Sequence, residues 1–263
     1  MYAKKSLGQH FLHSDADLKA MVNAGEVNAD DVVLEIGPGK GDLTKKLLFF
    51  AAKVIAVEKD DELYEFLKEK FAEEIKAGKL DLIHGDIMDF DLGSSLGRLT
   101  SKSEYKIVAN IPYNITGGIL RKFLSAKLIP ERIAILLQKE VAERVVARDK
   151  KESILSLSIK AYGKPSYFKT VKAGSFSPPP KVDSGILIIE DTSKDFFKDF
   201  SEEDFFRVVK TGFKSKRKKL SSNLAEIYGK KEILQIFSDL NLDPNLRAED
   251  ADINIWKKLV SRL

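Results

Sequence analysis

Apolar residues in this chain follow two alternating patterns. Continuous apolar runs, which are typical of strands buried on both faces, occur at 32–37, 53–58, 80–86, 105–111 and 132–138, with two later ones at 167–171 and 182–190. Segments with helical spacing of apolar residues lie among them, at 42–50, 60–77, 117–126, 140–148 and 153–162. Strands that alternate with helices predict an α/β fold, with a mostly parallel sheet covered by helices on both faces.

The pattern changes after residue 190. Residues 191–195 are polar and read as a linker, and from Ser201 onward only helical spacing occurs, with helices predicted at 220–228, 231–240 and 253–263. We therefore predict two domains, an α/β domain at 1–190 and a small all-helical domain at 196–263.

The composition narrows the classes of protein. The chain has 263 residues, of which 43% are hydrophobic and 32% charged, as expected for a globular protein with a large core. It has no cysteine, which excludes disulfides and thiolate zinc sites. His10 and His13 have no third ligand nearby in sequence, so no metal site is predicted. Without a signal-peptide pattern or a membrane-length apolar segment, we expect a cytoplasmic protein.

Positive charge is concentrated in one short segment. The net charge is only +4, but five cations fall within six residues: Lys214, Lys216, Arg217, Lys218 and Lys219. Such a run fits contact with RNA phosphates. It is equally typical of an ordinary solvated surface, and the sequence alone leaves both interpretations open.

Three predicted strands end in features suited to a nucleoside. The first strand runs into a glycine-rich turn, in which Gly37 and Gly39 allow the backbone to approach a ligand closely. Glu58 ends the second strand, where a carboxylate can accept both hydroxyl protons of a ribose. Asp86 ends the third strand and could accept from an adenine amine, with Ile87 against the ring. Because parallel strands end at the same edge of a sheet, these features predict an adenosine-bearing cofactor.

Two such cofactors fit the pattern, a nicotinamide dinucleotide and S-adenosylmethionine. The glycine spacing differs from that of dinucleotide binders, and no site for hydride chemistry is evident. The fourth strand ends in Asn110-Ile111-Pro112-Tyr113, which suits transfer of a methyl group to a purine amine. The Asn110 side-chain carbonyl and the Pro112 main-chain carbonyl can accept hydrogen bonds from the amine, and Tyr113 offers a ring for base stacking. S-adenosylmethionine is therefore the predicted cofactor.

The chain resembles the ribosomal RNA adenine dimethyltransferase family over nearly its whole length. The segments that carry the resemblance are KSLGQHFL at 5–12, EIGPG at 35–39, VE at 57–58, GD at 85–86, NIPYN at 110–114, SFSPPPKVDS at 175–184, RKKLSSNL at 217–224 and LRAED at 246–250. The segments at 175–184, 217–224 and 246–250 are more similar to the small-subunit enzymes than to the large-subunit resistance methylases.

The resemblance implies a Rossmann-like methyltransferase fold and a role for each matched residue. Tyr113 and Phe176 would sandwich the target base, while Asn110 and the Pro112 carbonyl hold its amine. His10, often Asn in the family, and Leu12 would line the methionine end of the cofactor. Residues expected to contact the cofactor are His10, Leu12, Gly37, Gly39, Glu58, Asp86, Ile87 and Asn110.

The implied activity is dimethylation of N6 on two adjacent adenines near the 3′ end of small-subunit (16S) ribosomal RNA, by a monomer acting during ribosome assembly. A large-subunit (23S) RNA methyltransferase, a DNA adenine methyltransferase and a non-catalytic RNA-binding assembly factor on the same fold are the alternatives. Because the bases must be unstacked to react, single strands or loops are the expected substrates.

Overall fold

The computed structural model describes residues 9–91, 104–112 and 115–263. The chain forms two compact units: Met1–Ala142 with Lys164–Thr192, and Glu143–Gly163 with Ser193–Leu263. The sequence-based boundary at 190–196 assigns 143–163 to the α/β domain, whereas the contacts group this segment with the helical unit. Within that unit, for example, Glu152 N–H donates to the Glu249 carbonyl at 2.7 Å. The helical pattern of 153–162 could not reveal this grouping, because it fits either unit equally well.

The first unit contains the predicted α/β sheet. Its seven strands are β2 (Val32–Ile36), β3 (Lys53–Glu58), β4 (Leu80–His84), β5 (Lys106–Asn110), β6 (Arg132–Gln138), β7 (Lys164–Val171) and β9 (Ser184–Glu190). They lie in the order β4-β3-β2-β5-β6-β9-β7, parallel from β4 to β6 and antiparallel at β9 and β7. A separate antiparallel pair joins β1 (Phe11–Leu12) to β8 (Phe176–Ser177).

Helices lie between successive strands along the described chain. They are α1 (Asp15–Ala24), α2 (Asp42–Phe50), α3 (Asp61–Lys70), α4 (Ala72–Lys76) and α5 (Thr116–Leu124), and α6 (Lys139–Val145) then runs across the boundary between the units. The segment at 60–77, predicted as one helix, is divided at Phe71. Helix α1 was not predicted, although Ser14 caps it by accepting the Asp17 N–H and Leu18, Met21 and Val22 have helical spacing.

The topology places a cleft at one edge of the sheet. All five residues of β2 are buried, as expected for a central parallel strand. The strand lies between β3 on one side and β5 on the other, so the connections leave it in opposite directions. Open α/β sheets bind ligands outside the carboxyl ends of the strands at such a switch point. The ends of β2, β3 and β5 therefore mark the site.

The second unit is helical, as predicted. It contains α7 (Ile154–Lys160), α8 (Glu202–Gly212), α9 (Leu220–Tyr228), α10 (Lys230–Asp239) and α11 (Ile253–Val260). Trp256 is fully buried and stacks on Phe213, with ring centroids 5.6 Å apart. A Cβ atom at Gly212 would lie 2.3 Å from the Trp256 ring, so α8 packs there only with glycine. Among the described residues, no helix has both the length and the apolar character needed to span a membrane.

Candidate active site

A cavity of about 300 Å³ opens at the carboxyl ends of the central strands of the first unit. The residues that follow β2, β3, β4 and β5 form its walls, together with the segment that contains β1. Predicted cofactor residues that line it are His10, Leu12, Gly37, Gly39, Glu58, Asp86, Ile87 and Asn110. The structure thus brings together side chains that lie as much as 100 positions apart in the sequence.

The glycine turn after β2 presents bare backbone to this cavity. Gly37 has φ of 65°, a conformation that favours glycine, and a Cβ atom there would meet nothing within 4 Å. Open space on that side leaves room for a ligand to approach the main chain. Gly39 also has a positive φ of 60°, and a Cβ atom there would lie 2.9 Å from the Phe11 ring. The turn is therefore open toward the cavity at Gly37 and closely packed on β1 at Gly39.

Glu58 is the acid at the end of β3, and its side chain is tied to the glycine turn. It is only 5% exposed. Its Oε2 accepts the Gly39 N–H at 3.1 Å, and its Oε1 accepts the Asp60 N–H at 2.9 Å. Burial raises the pKa of Glu58, and the backbone N–H groups of Asp60 and Gly39 oppose that shift. A carboxylate has about four acceptor positions, so both oxygens can still accept from the two hydroxyls of a ribose.

Asp86 offers a second acceptor on the cavity wall. Its Oδ2 lies 2.7 Å from Lys59 Nζ, and its Oδ1 accepts the Met88 N–H at 2.8 Å. The hydrogen bond from Lys59, followed by that from Met88, lowers the pKa of Asp86. An ionised carboxylate can only accept hydrogen bonds, which suits an exocyclic amine. Ile87 is 4% exposed beside it and supplies an apolar surface for a flat ring.

The orientation of Asn110, at the end of β5, is fixed by the β1 segment. Its Nδ2 donates to the His10 carbonyl oxygen at 3.1 Å. Because a carbonyl can only accept, the amide must direct its nitrogen toward His10, and the Oδ1 atom remains as the acceptor for a ligand. The Pro112 carbonyl accepts one long hydrogen bond, from the Ile115 N–H at 3.3 Å, and has a second lone pair available. Both residues line the cavity.

The two residues predicted to sandwich a base are not among the described residues that line the cavity. Tyr113 lies outside the described residues. Phe176 is 3% exposed and packs in the core of the first unit, and it is not among the residues that line the cavity. It pairs with Leu12, which is a lining residue, across the short sheet of β1 and β8. His10 adds a second link between these segments, since its Nδ1 lies 2.8 Å from the Pro178 carbonyl.

Several lining residues were not predicted from the sequence. Lys59 and Met88 join the cavity wall through their contacts with Asp86, and Phe11 and Lys40 flank the glycine turn. Glu35 is the least expected, because it is 1% exposed within β2 and its Oε2 has no hydrogen-bond partner in the described structure. In the sequence, the presence of this acid within an apolar run was the feature that could have indicated its special role.

Burial raises the pKa of Glu35 to about 8, so folding stabilises its protonated form. The unfolded chain loses this proton near pH 4.5, the ordinary pKa of a glutamate, and the free energy of unfolding therefore falls as the pH rises from 4.5 to about 8. We expect Glu35→Gln to flatten this decline, with a larger gain in unfolding free energy at about pH 8 than at about pH 5. Urea unfolding at both pH values measures this gain in unfolding free energy. Glu69→Gln, the same substitution at an exposed position, should lack this pH dependence; equal gains for Glu35→Gln at both pH values would contradict the assignment.

The cavity offers hydrogen-bond acceptors for the donor groups of an adenosine and an apolar wall for its ring. Glu58 can accept two vicinal hydroxyls, Asp86 an exocyclic amine, and Ile87 can cover the ring. Asn110 then lies at the far end of β5 with an acceptor directed away from His10. In the described part of the chain, no cluster of three or more His, Asp or Glu side chains could hold a metal ion.

The basic residues predicted from the sequence lie together in the second unit. Lys214, Lys216, Arg217, Lys218 and Lys219 are all exposed and occupy the loop between α8 and α9. The structure shows two of them, Lys214 and Lys218, paired with Glu226.

Comparisons with known proteins agree with one another. A family model described as ribosomal RNA adenine dimethylase matches residues 1–263. The ribosomal RNA small subunit methyltransferase A of Dehalococcoides mccartyi (strain BAV1) is 43% identical over 98% of this chain and 87% of its own, and the protein of that name from Nostoc sp. (strain PCC 7120) is 36% identical over 99% and 97%.

Solved structures give the same result for the fold. A dimethyladenosine transferase from Plasmodium falciparum superposes with a TM-score of 0.81 at 26% identity, covering 95% of this chain and 96% of its own. The 23S rRNA methyltransferase ErmE superposes with a TM-score of 0.76 and covers 96% and 99%, but at 22% identity this likeness concerns the fold alone.

Proposed function

The chain belongs to the ribosomal RNA adenine dimethylase family, and we propose that it transfers methyl groups from S-adenosylmethionine to N6 of adenines in small-subunit (16S) ribosomal RNA. The relatives at 43% and 36% identity carry the name of a small-subunit enzyme. The large-subunit alternative has only the likeness to ErmE in its favour, and this likeness is one of fold. The target is two adjacent adenines near the 3′ end of the RNA, each methylated twice.

The proposal rests on the fixed orientation of Asn110 beside a cavity that is also lined by Glu58, Asp86 and Ile87. The lone pair of an adenine amine is delocalised into the ring, which makes the amine a poor nucleophile. Acceptors at Asn110 Oδ1 and the Pro112 carbonyl hold the two N–H groups and turn the lone pair toward the electrophile. No strong general base is needed, because attack makes the amine cationic and acidic, and its proton leaves to water.

S-adenosylmethionine, when bound, supplies a methyl group on a positively charged sulfur. Glu58 accepts the ribose hydroxyls, Asp86 accepts the adenine amine, and Ile87 covers the ring. The open side of Gly37 admits the ligand to the main chain, and His10 and Leu12 line its methionine end. These residues hold the methyl donor at the carboxyl ends of β2 and β3, with Asn110 at the end of the neighbouring strand β5.

Tyr113 and Phe176 hold the flipped target base between them. Support for Phe176 is its pairing with Leu12 of the cavity wall. Because its ring is 3% exposed, contact with a base requires the ring to turn out of the core when RNA binds. The target base must also leave its stack, and adenines in a loop or single strand do so at the least cost.

The helical unit recognises the RNA. Its exposed cations attract phosphates, and the protein works as a cytoplasmic monomer on the assembling small subunit. A non-catalytic assembly factor would use the same surface without methyl transfer. The complete acceptor set of Glu58, Asp86 and Asn110 favours the enzyme.

Incubation with labelled S-adenosylmethionine and small-subunit particles that lack the methylation tests the proposal. Nucleoside analysis should recover the label as N6,N6-dimethyladenosine from the 3′ region of the small-subunit RNA. Label in large-subunit RNA or duplex DNA would favour the corresponding alternative. RNA binding with no label incorporated would favour the non-catalytic one.

Neutralising Lys216 and Arg217 to Met should weaken RNA affinity and reduce its dependence on salt. Both residues are exposed, and each phosphate contact contributes ~0.7–0.9 to the slope of log affinity against log salt, so we expect a slope smaller by about 1.4–1.8. Filter binding over a range of salt concentrations measures both the RNA affinity and the salt slope. The pair Lys230 and Lys231, exposed at the start of α10, is the control with equal charge change. An equal loss in the control would assign the effect to net charge alone.

A further inference from the structure

The five cations of the loop between α8 and α9 differ in their position on the main chain. Two lie at the tip of a turn, and three lie beside it. The Lys218 N–H donates to the Ser215 carbonyl at 3.0 Å, which closes a turn with Lys216 and Arg217 at its tip. Just before this turn, the Lys214 N–H donates to the Thr211 carbonyl at 3.1 Å. The tip residues therefore project at the end of a hydrogen-bonded turn.

Asn223 on α9 holds the main chain of this loop. It is fully buried, and its Nδ2 donates to the Gly212 carbonyl at 2.6 Å and to the Ser215 carbonyl at 3.1 Å. The Ser215 carbonyl is also the acceptor that closes the turn. A buried amide thus holds the main chain of the loop at two carbonyl groups.

Glu226 lies one helical turn after Asn223 and contacts the same loop. Its Oε2 lies 2.6 Å from Lys214 Nζ and its Oε1 lies 3.0 Å from Lys218 Nζ. Hydrogen bonds from Lys214 and then Lys218 lower the pKa of Glu226, so the carboxylate is ionised at neutral pH. One negative charge is therefore shared by two of the five cations.

The remaining three cations are directed to solvent. Lys216, Arg217 and Lys219 are exposed, and in the described structure none of them forms an ion pair. Phosphates that approach Lys214 or Lys218 must displace Glu226 and are repelled by it. Exposed ion pairs are weak, so they can be exchanged for phosphates, but the repulsion remains while Glu226 is charged.

We propose that Glu226 competes with RNA phosphates for Lys214 and Lys218 and so limits sequence-independent binding by the basic loop. Lys216, Arg217 and Lys219 are then the cations that contact RNA in the wild-type protein. The inference rests on the proposed RNA-binding function of this unit and assigns separate roles within it: Asn223 sets the shape of the loop, and Glu226 sets its effective charge.

Glu226→Gln tests the proposal, because glutamine removes the charge and keeps the size of the side chain. The probe is an RNA hairpin of unrelated sequence, with binding measured by fluorescence anisotropy across a salt series. We expect affinity about three- to tenfold higher at low salt and a salt slope steeper by up to ~1.8, equivalent to two added phosphate contacts. Glu232→Gln, an exposed change of equal charge on α10, should have a smaller effect on both.

A triple variant, Glu226→Gln with Lys214→Met and Lys218→Met, separates local release of lysines from a general charge effect. It should lose the gain in affinity and return the slope to the wild-type value. Unchanged affinity in Glu226→Gln, or a gain equal to that of Glu232→Gln, would overturn the proposal. Methyl transfer by the wild-type protein, measured in parallel, reports separately on the proposed function. If that transfer and RNA binding are both absent, the function and the inference fail together.

Discussion

Replacing Asn110 by alanine is expected to slow methyl transfer by about 100- to 1,000-fold, the usual cost of losing one preorganised polar group that stabilises a transition state. The side chain is held by the His10 carbonyl at 3.1 Å, which leaves Oδ1 as the acceptor for the target amine. Alanine removes that acceptor and lets the amine lone pair stay in the plane of the ring. Cofactor affinity should change far less, because the ribose and adenine acceptors lie on β3 and after β4.

Single-turnover transfer of labelled methyl to small-subunit particles measures this effect, with cofactor binding recorded by calorimetry. Asn245→Ala, at an exposed position in the second unit, is the matched control and should be close to wild type. Asn110→Asp should also be slow, since a carboxylate cannot donate to the His10 carbonyl. Near-normal turnover in Asn110→Ala would remove the residue from the mechanism.

Replacing Glu58 by glutamine is expected to reduce cofactor affinity by about 100-fold, since hydrogen bonds to charged groups contribute about 1.5–3 kcal/mol each. Both carboxylate oxygens accept backbone N–H groups, from Gly39 and Asp60. An amide has one accepting atom, so its NH₂ group would face a donor. The variant would thus weaken the ribose contact and release the glycine turn together.

Calorimetric titration with S-adenosylhomocysteine measures the loss, and thermal unfolding shows whether the fold survives. Glu69→Gln, exposed on α3, is the control and should bind as the wild type does. Wild-type affinity in Glu58→Gln would show that the cofactor does not contact this acid.

Much of the cavity could be predicted because several of its lining residues lie at the ends of regular strands. The alternation of apolar runs and helices implies parallel strands, and parallel strands bring Gly37, Glu58 and Asp86 to the same edge of the sheet. Each of these residues ends or follows a predicted strand, so an error of one or two residues in a boundary does not displace it.

Contacts between irregular segments could not be predicted from local pattern. His10 reaches Asn110 across 100 positions through a two-residue strand, which is too short to produce a periodic signal. The same holds for Lys59 with Asp86 and for Glu226 with Lys214, because the partner of a charged side chain depends on tertiary geometry. The grouping of 143–163 with the helical unit is a further example, since helical spacing does not specify the surface on which a helix packs.

A crystal structure with S-adenosylhomocysteine bound would show directly whether the cofactor sulfur lies at the end of β5, where the target amine is proposed to bind. We expect both ribose hydroxyls within hydrogen-bonding distance of Glu58, the adenine amine at Asp86, and the sulfur facing the space in front of Asn110 Oδ1 and the Pro112 carbonyl. A ligand bound with its sulfur directed away from Asn110, or a cavity that stays empty at saturating ligand, would contradict it.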